Sequence, residues 1–229
     1  INYKEVYPMG SLKAGLFYEQ YNKSNKKEKN QYDVGIISEY RPEQEYSDHI
    51  SMRDFFKAGF KLHKFMSRYG GNKKIAVLLS GKDSKNEKKY FDSIYKGDAF
   101  ELLDRINPYS NYYNIMNCEV VVSLTSTLSY EAMALGKKVL FCYNVLNNGN
   151  DSNTRYTQFV KIPEEFILSS GDYNHFEKKI NNLIKMDSKK YHDKIKKYSK
   201  YVMNFDKCNL PQDIVRQKIH ELILKNRTP

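Results

Sequence analysis

The sequence predicts an α/β domain: a parallel sheet with helices on both faces. Three observations predict it. Short apolar runs alternate with segments of helical periodicity over more than about 100 residues, the signature of strands joined through helices. The runs are apolar at consecutive positions, not at every second one, as expected of strands covered on both sides. One segment, Cys118 to Tyr143, spells out the unit in full: strand, Ser/Thr turn, helix with an early glutamate, glycine stop, strand.

Taken in order, Asp33 to Ser38 is the first apolar run and predicts a strand. Ile50 to Tyr69 carries Phe55, Phe56, Phe60, Leu62, Phe65 and Met66 at helical spacing and stops at Gly70-Gly71. Lys74 to Ser80 reads as a second buried strand, Asn86 to Tyr95 as a helix, and Glu101 to Asp104 as a third strand. Pro108-Tyr109-Ser110 opens a helix running to Met116. Val120-Val121-Val122 is β-branched and wholly apolar, Gly136 ends the helix that follows, and Val139 to Phe141 begins the next strand. Phe159 to Ile162 predicts a final strand. Tyr173 to Met186, Ser188 to Met203 and Pro211 to Lys225 then predict helices, the last with Pro211 and Asp213 in its first turn. The connections should be right-handed crossovers. Residues 1–31 read as an arm or interdomain segment, and residues 32–229 as the domain with its helical C-terminal extension. The chain opens on Ile1, which predicts a trimmed chain and an absent N-terminal partner domain.

Composition narrows the function classes. No run of about 18 apolar residues predicts a membrane-spanning helix, and no secretory leader is visible. The three cysteines are widely spaced and form neither a metal pattern nor a disulfide framework, which suits a reducing cytoplasm. The formal net charge is +11. Such a balance favours phosphorylated ligands and anionic surfaces, although a Lys-, Asn- and Tyr-rich composition of the kind AT-biased coding produces also spreads lysines over solvated helix faces. Lys185 to Lys200, with Ile195, Tyr198, Tyr201 and Val202 interleaved, is a candidate for peripheral contact with a membrane surface at its inner face. No recognisable motif accompanies the charge, so no nucleic-acid partner is expected.

Candidate chemistry gathers where strands end. Thr125, Ser126 and Thr127 supply hydroxyls and unpaired N–H groups at a helix start, where partial positive charge favours an anion; the same residues also serve as ordinary caps. Glu131, one turn further on, needs no ligand to be stable there. Ser80-Gly81-Lys82 follows a strand and offers N–H groups and a cation to a phosphate, without the spacing of a P-loop; an ordinary turn reads equally well. Arg41 follows the first strand and is a candidate phosphate clamp, with Glu39 beside it a candidate for a sugar hydroxyl. Glu43, Glu45, Asp48 and His49 lack tight metal-ligand spacing. His63 reads as a packed or surface residue, and His175, His192 and His220 have no nucleophile near them in sequence. No nucleophile elbow or Cys–His pattern points to a hydrolase. Asn144 and the polar loop from Asn147 to Thr154 lie on the ligand-bearing edge, with Arg155 a further phosphate candidate.

The segment Val121 to Phe141 resembles the donor-binding half of GT-B glycosyltransferases, most closely the bacterial surface-polysaccharide transferases of Kdo-transferase-like and capsule-biosynthesis type. The resemblance implies a Rossmann-like domain for a nucleotide-sugar. Carried over by position, Ser126 and Thr127 would meet phosphate and Glu131 the ribose. It implies neither bound metal nor cofactor, and a glycan acceptor. Tyr7 to Leu12 resembles the segment by which such chains leave their N-terminal domain, with Gly10 and Ser11 facing the cleft. A whole enzyme of this type has two such domains, and only one fits here. The catalytic base would come from the other, so no catalytic residue is assigned. A related nucleotide-sugar epimerase, a polyol-phosphate transferase and a non-catalytic binding module remain the alternatives.

Overall fold

The structure is a computed structural model that describes residues 7–24, 30–40, 50–81, 83–143, 145–146 and 162–225. Its centre is a five-stranded, wholly parallel sheet in the order β3-β2-β1-β4-β5. The strands are β1 (Tyr32–Ile37), β2 (Ile75–Leu78), β3 (Phe100–Leu103), β4 (Cys118–Ser123) and β5 (Lys138–Phe141). The helices are α1 (Leu12–Lys23), α2 (Ile50–Tyr69), α3 (Ser84–Ile94), α4 (Ser110–Met116), α5 (Thr127–Ala134), α6 (Tyr173–Lys185), α7 (Ser188–Met203) and α8 (Pro211–Lys225). Each strand and helix expected from the apolar pattern is present within a residue or two, except the expected strand at Phe159 to Ile162. There Phe159, Val160 and Lys161 lie outside the described residues, and Ile162 sits in a bend. The edge of β5 is met instead by a single parallel bridge from Phe141 to Ile167.

Every residue of β2 and β5 is buried, as are five of six in β4. Side chains alternate between faces along a strand, so burial at consecutive positions requires cover on both sides. The register brings Val34 beside Ile75 on one flank and Val120 on the other. The chain builds outward from β1 through β2 to β3, then crosses back to β4 and β5. The switch of direction therefore lies between β1 and β4, where open sheets of this kind part their loops and leave a crevice.

Local chemistry fixes the central α5. Ser126 caps its start, its Oγ accepting from the Leu128 N–H at 3.3 Å. Gly136 ends it at φ +95°, a backbone region that disfavours a side chain. Two return bonds close the helix: Gly136 N–H to the Met133 carbonyl at 3.0 Å and Lys137 N–H to the Ala132 carbonyl at 2.9 Å.

Residues 1–31, read from sequence as an arm without an assigned element, contain α1. Its inner face is Ala14, Gly15 and Phe17, while Leu12 and Leu16 face solvent. A β-carbon at Gly15 would come 2.3 Å from Gln212 Oε1 and 2.8 Å from Pro211 Cδ, so α1 lies tight against the start of α8. Phe17 stacks on Tyr112 with ring centroids 5.0 Å apart, which ties α1 to α4 as well.

His63 is the packed alternative: it lies buried in α2 against the rings of Tyr90 and Phe91, with Nδ1 2.8 Å from the Tyr90 hydroxyl. Burial pushes its pKa down from 6.5 to about 3. A base depressed in the fold charges first in the unfolded chain. Its stabilising effect is therefore whole above about pH 6.5 and is lost progressively between pH 6.5 and 3. Across that window one proton gives a slope of about 1.4 kcal/mol per pH unit. Denaturant melts at pH 7, 6, 5 and 4 should show that slope exceeding the slope of His63→Asn, which cannot titrate, by one proton. Equal slopes would mean that His63 charges within the fold.

Candidate ligand-binding site

The carboxyl ends of the strands, at the β1/β4 switch, open onto a cleft of about 550 Å³. Its lining includes Ile37 at the end of β1 with Ser38 and Glu39 after it; Ser80 and Arg105 stand after β2 and β3. Asn111 and Tyr112 come from α4, Thr125 to Leu128 from the β4–α5 turn, Glu131 from α5, and Lys13 from α1.

Glu131 is fixed from two sides. Ser11 Oγ donates to Oε1 at 2.5 Å and the Tyr112 hydroxyl donates to Oε2 at 2.8 Å. Ser11 also caps α1, accepting from the Ala14 N–H at 3.2 Å, so one hydroxyl joins the helix start to the cleft. Gly10, just before Ser11, packs against the end of α7. Its φ is +75°, and a β-carbon there would lie 2.2 Å from the Met203 carbonyl oxygen. Burial, with the neighbouring Glu131 charge, raises the Tyr112 pKa and keeps that hydroxyl a donor. A carboxylate has about four acceptor positions, so Glu131 retains two for a ligand.

The β4–α5 turn is already supplied with an anion. Glu39 Oε1 accepts from Ser123 Oγ and the Leu124 N–H, both at 2.7 Å. The Thr125 N–H reaches both oxygens at 3.1 Å, and Thr125 Oγ1 reaches Oε2 at 3.1 Å. The Ser126 N–H donates to Ser123 Oγ at 3.2 Å. Thr127 alone in this turn keeps an N–H without a partner among the described residues. The expectation of Glu39 on a sugar hydroxyl thus gives way to a carboxylate turned into the protein, because the Leu124 and Thr125 N–H groups need an acceptor.

The turn after β2 follows the same rule. Fully buried Glu87 of α3 accepts from the Ser80 N–H at 2.8 Å, Ser80 Oγ at 3.1 Å and the Gly81 N–H at 3.2 Å, and also from the Ser38 hydroxyl. The N–H groups of Ser80 and Gly81, expected to face a phosphate, therefore point inward, although Ser80 still lines the cleft. Lys82, Arg41, Asn144, Asn147 to Thr154 and Arg155 lie outside the described residues, as do Glu43, Glu45, Asp48 and His49. Among the described residues no three His, Cys, Asp or Glu side chains gather as metal ligands, and no helix is long and apolar enough to cross a membrane.

The structure thus brings together Ser11, Thr125, Ser126, Thr127, Glu131 and Ser80, and adds Lys13, Arg105, Asn111 and Tyr112, which sequence reasoning passed over. Arg105 carried the same signal as Arg41, a basic residue directly after a strand. Lys13 carried none, since it reaches the cleft from a helix far away in sequence. Burial lowers the Lys13 pKa, and the Arg105 charge lowers it further, while Glu131 acts in the opposite sense.

A doubly covered parallel sheet with a polar cleft at its switch point defines a class: α/β proteins that bind a ligand beyond the carboxyl ends of their strands. Within that class, a family described as "putative O-antigen biosynthesis protein" matches residues 2–217. The chain belongs to that family, and so to glycan biosynthesis. No curated protein sequence matches it. Three solved structures are similar. The Methanocaldococcus jannaschii UDP-GlcNAc 2-epimerase, in complex with UDP-GlcNAc and UDP, is 11% identical over 88% of this chain and 56% of its own, with a TM-score of 0.48. The Neisseria meningitidis UDP-GlcNAc 2-epimerase, bound to UDP-GlcNAc, is 14% identical over 91% and 47%, with a TM-score of 0.44. The wall teichoic acid polymerase TagF is 12% identical over 97% and 53%, with a TM-score of 0.46. The chain spans about half the length of each.

Glu39→Ala would orphan the N–H of Leu124, a residue only 2% exposed, together with that of Thr125. It should cost about 1–3 kcal/mol, read as a lower urea midpoint at unchanged slope. An unchanged midpoint would show that the turn does not depend on this carboxylate.

Proposed function

We propose that this chain is the nucleotide-sugar-binding domain of a GT-B-type glycosyltransferase that builds a surface glycan. One observation carries the reading: a carboxylate, Glu131, held by two hydroxyl donors at the rim of the switch-point cleft, with acceptor capacity to spare. A ribose presents two adjacent hydroxyls, and a carboxylate pinned from behind can accept from both. The family's place in O-antigen biosynthesis supports a sugar nucleotide as the ligand. The resemblance of Val121 to Phe141 to donor-binding segments supports the same orientation, with ribose at Glu131 and phosphate toward the start of α5.

The reaction is displacement at the anomeric carbon. An acceptor hydroxyl forms the new glycosidic bond as the bond to the nucleotide phosphate breaks, and negative charge accumulates on the departing phosphate. What this chain contributes is charge stabilisation by groups already in place: the Thr127 N–H and the Ser126 and Thr127 hydroxyls at the positive end of α5, with the basic side chains of the cleft. Proton removal from the acceptor is assigned to no residue of this chain. The domain takes its donor without a bound metal, and its acceptor is a growing glycan.

Thermal melts with UDP, GDP, CMP, CDP and their sugars test the reading. A ligand at about 100 times its dissociation constant stabilises by roughly 2.7 kcal/mol. One nucleotide should raise the melting temperature of the wild type, and Glu131→Ala should abolish the rise. No shift with any nucleotide, or a shift undiminished in Glu131→Ala, would overturn the reading and favour a binding module with another ligand.

A further inference from the structure

Most of the backbone N–H groups expected to meet a diphosphate at this cleft already have acceptors. The expected donors are the N–H groups of the two turns, and those groups are engaged. Leu124 and Thr125 donate to Glu39, and Ser80 and Gly81 donate to Glu87. Displacing Glu39 would leave two N–H donors to be re-paired and would bring a second anion toward the first. Among the described residues, only the Thr127 N–H is open in the β4–α5 turn.

Two cations, Lys13 and Arg105, line the same cleft. Among the described residues neither Lys13 nor Arg105 has a carboxylate within salt-bridge distance. Arg105 is anchored by one nitrogen, Nη1, which donates to the Ser80 carbonyl at 3.3 Å. Its remaining donors are available for a planar, bidentate partner. Gly81 admits it closely: a β-carbon there would lie 3.2 Å from Arg105 Cβ. The Lys13 ammonium stands 5.3 Å above the Tyr112 ring. Tyr112 in turn holds Glu131, so the lysine stands beside the carboxylate assigned to the ribose. The electrostatics agree: burial first, and then the Arg105 charge, make the Lys13 charge less favourable, and an anion shared between the two cations would offset the second of these.

We propose that Lys13 and Arg105 form a two-cation clamp for the diphosphate of a nucleoside diphosphate or nucleotide-sugar, with the β4–α5 turn braced by Glu39 and contributing only its Thr127 end. The proposal rests on the nucleotide-sugar reading for the identity of the ligand, but not for the existence of an anion site. It makes α1 part of the binding machinery: Ser11 orients Glu131 and Lys13 grips the adjoining phosphate.

Calorimetric titration of the chain with inorganic pyrophosphate, and with UDP, GDP and CDP, tests it. Lys13→Gln and Arg105→Gln keep much of each stem and remove the charge. Each should weaken pyrophosphate binding about tenfold, as expected for losing one charge-assisted contact. Each should also flatten the dependence of affinity on salt. Lys189→Gln, which removes an exposed charge on α7, should change neither. Matched melting temperatures and circular dichroism establish that the variants fold. Wild type that binds no pyrophosphate, or clamp variants that bind it as tightly as wild type, would overturn the clamp. The two readings fail separately. Pyrophosphate binding that depends on the clamp, with no binding of any nucleoside diphosphate, would sink the nucleotide-sugar assignment and leave the clamp standing. Nucleoside diphosphates bound equally by wild type and both clamp variants, but lost in Glu131→Ala, would do the reverse.

Discussion

Backbone N–H groups at the ends of buried strands need acceptors, and here glutamates supply them. β2 and β4 end in buried residues, and the turns that follow run from buried to exposed, with N–H groups that still need acceptors. Glu87 closes the first turn and Glu39 the second, each gathering several donors onto one carboxylate. The remaining geometry of the cleft follows from that. With most of the turn N–H groups held inward, the described surface left to a ligand is the Thr127 N–H, the hydroxyls of Ser126 and Thr127, and the side chains of Glu131, Lys13 and Arg105. A third glutamate, Glu131, is itself held from behind by Ser11 and Tyr112, which links α1, α4 and α5 at one point. An acidic edge of this kind would repel phosphate without nearby cations, so the two basic side chains offset the carboxylates.

The framework was legible in the sequence because its causes are local or periodic. Consecutive apolar residues marked the covered strands, helical spacing marked α2, and Gly136 marked the end of α5 through a backbone angle that disfavours side chains. The position of Glu131 was legible for the same reason, since the turn and helix around it are contiguous. What escaped was set by contacts distant in the chain. α1 buries Ala14 and Gly15 and exposes Leu12 and Leu16, so its apolar pattern misreports its inner face. Small residues are buried there because α8 passes so closely. Glu39 and Glu87 lie next to polar turns, and nothing in sequence distinguishes a carboxylate facing ligand from one facing the backbone. Ser80 and Gly81 shared that ambiguity, and Glu87 decided it.

The net charge of +11 bears on the site less than its size suggests. Eleven lysines lie on α6, α7 and α8, with Lys194 paired with Glu165 and Lys218 with Glu221. Among the described residues, two basic side chains line the cleft, Lys13 and Arg105, far apart in the chain. Membership of a family described as "putative O-antigen biosynthesis protein" supports the proposal that the cleft takes a sugar nucleotide.

The most direct measurement is a crystal structure of the chain with the nucleoside diphosphate that stabilises it best. The account predicts ribose hydroxyls on Glu131, phosphate oxygens on Lys13 and Arg105, and Glu39 still bonded to Leu124 and Thr125. Phosphates seated on the Leu124 and Thr125 N–H groups with Glu39 displaced, or a nucleotide bound away from the β1/β4 switch, would contradict it.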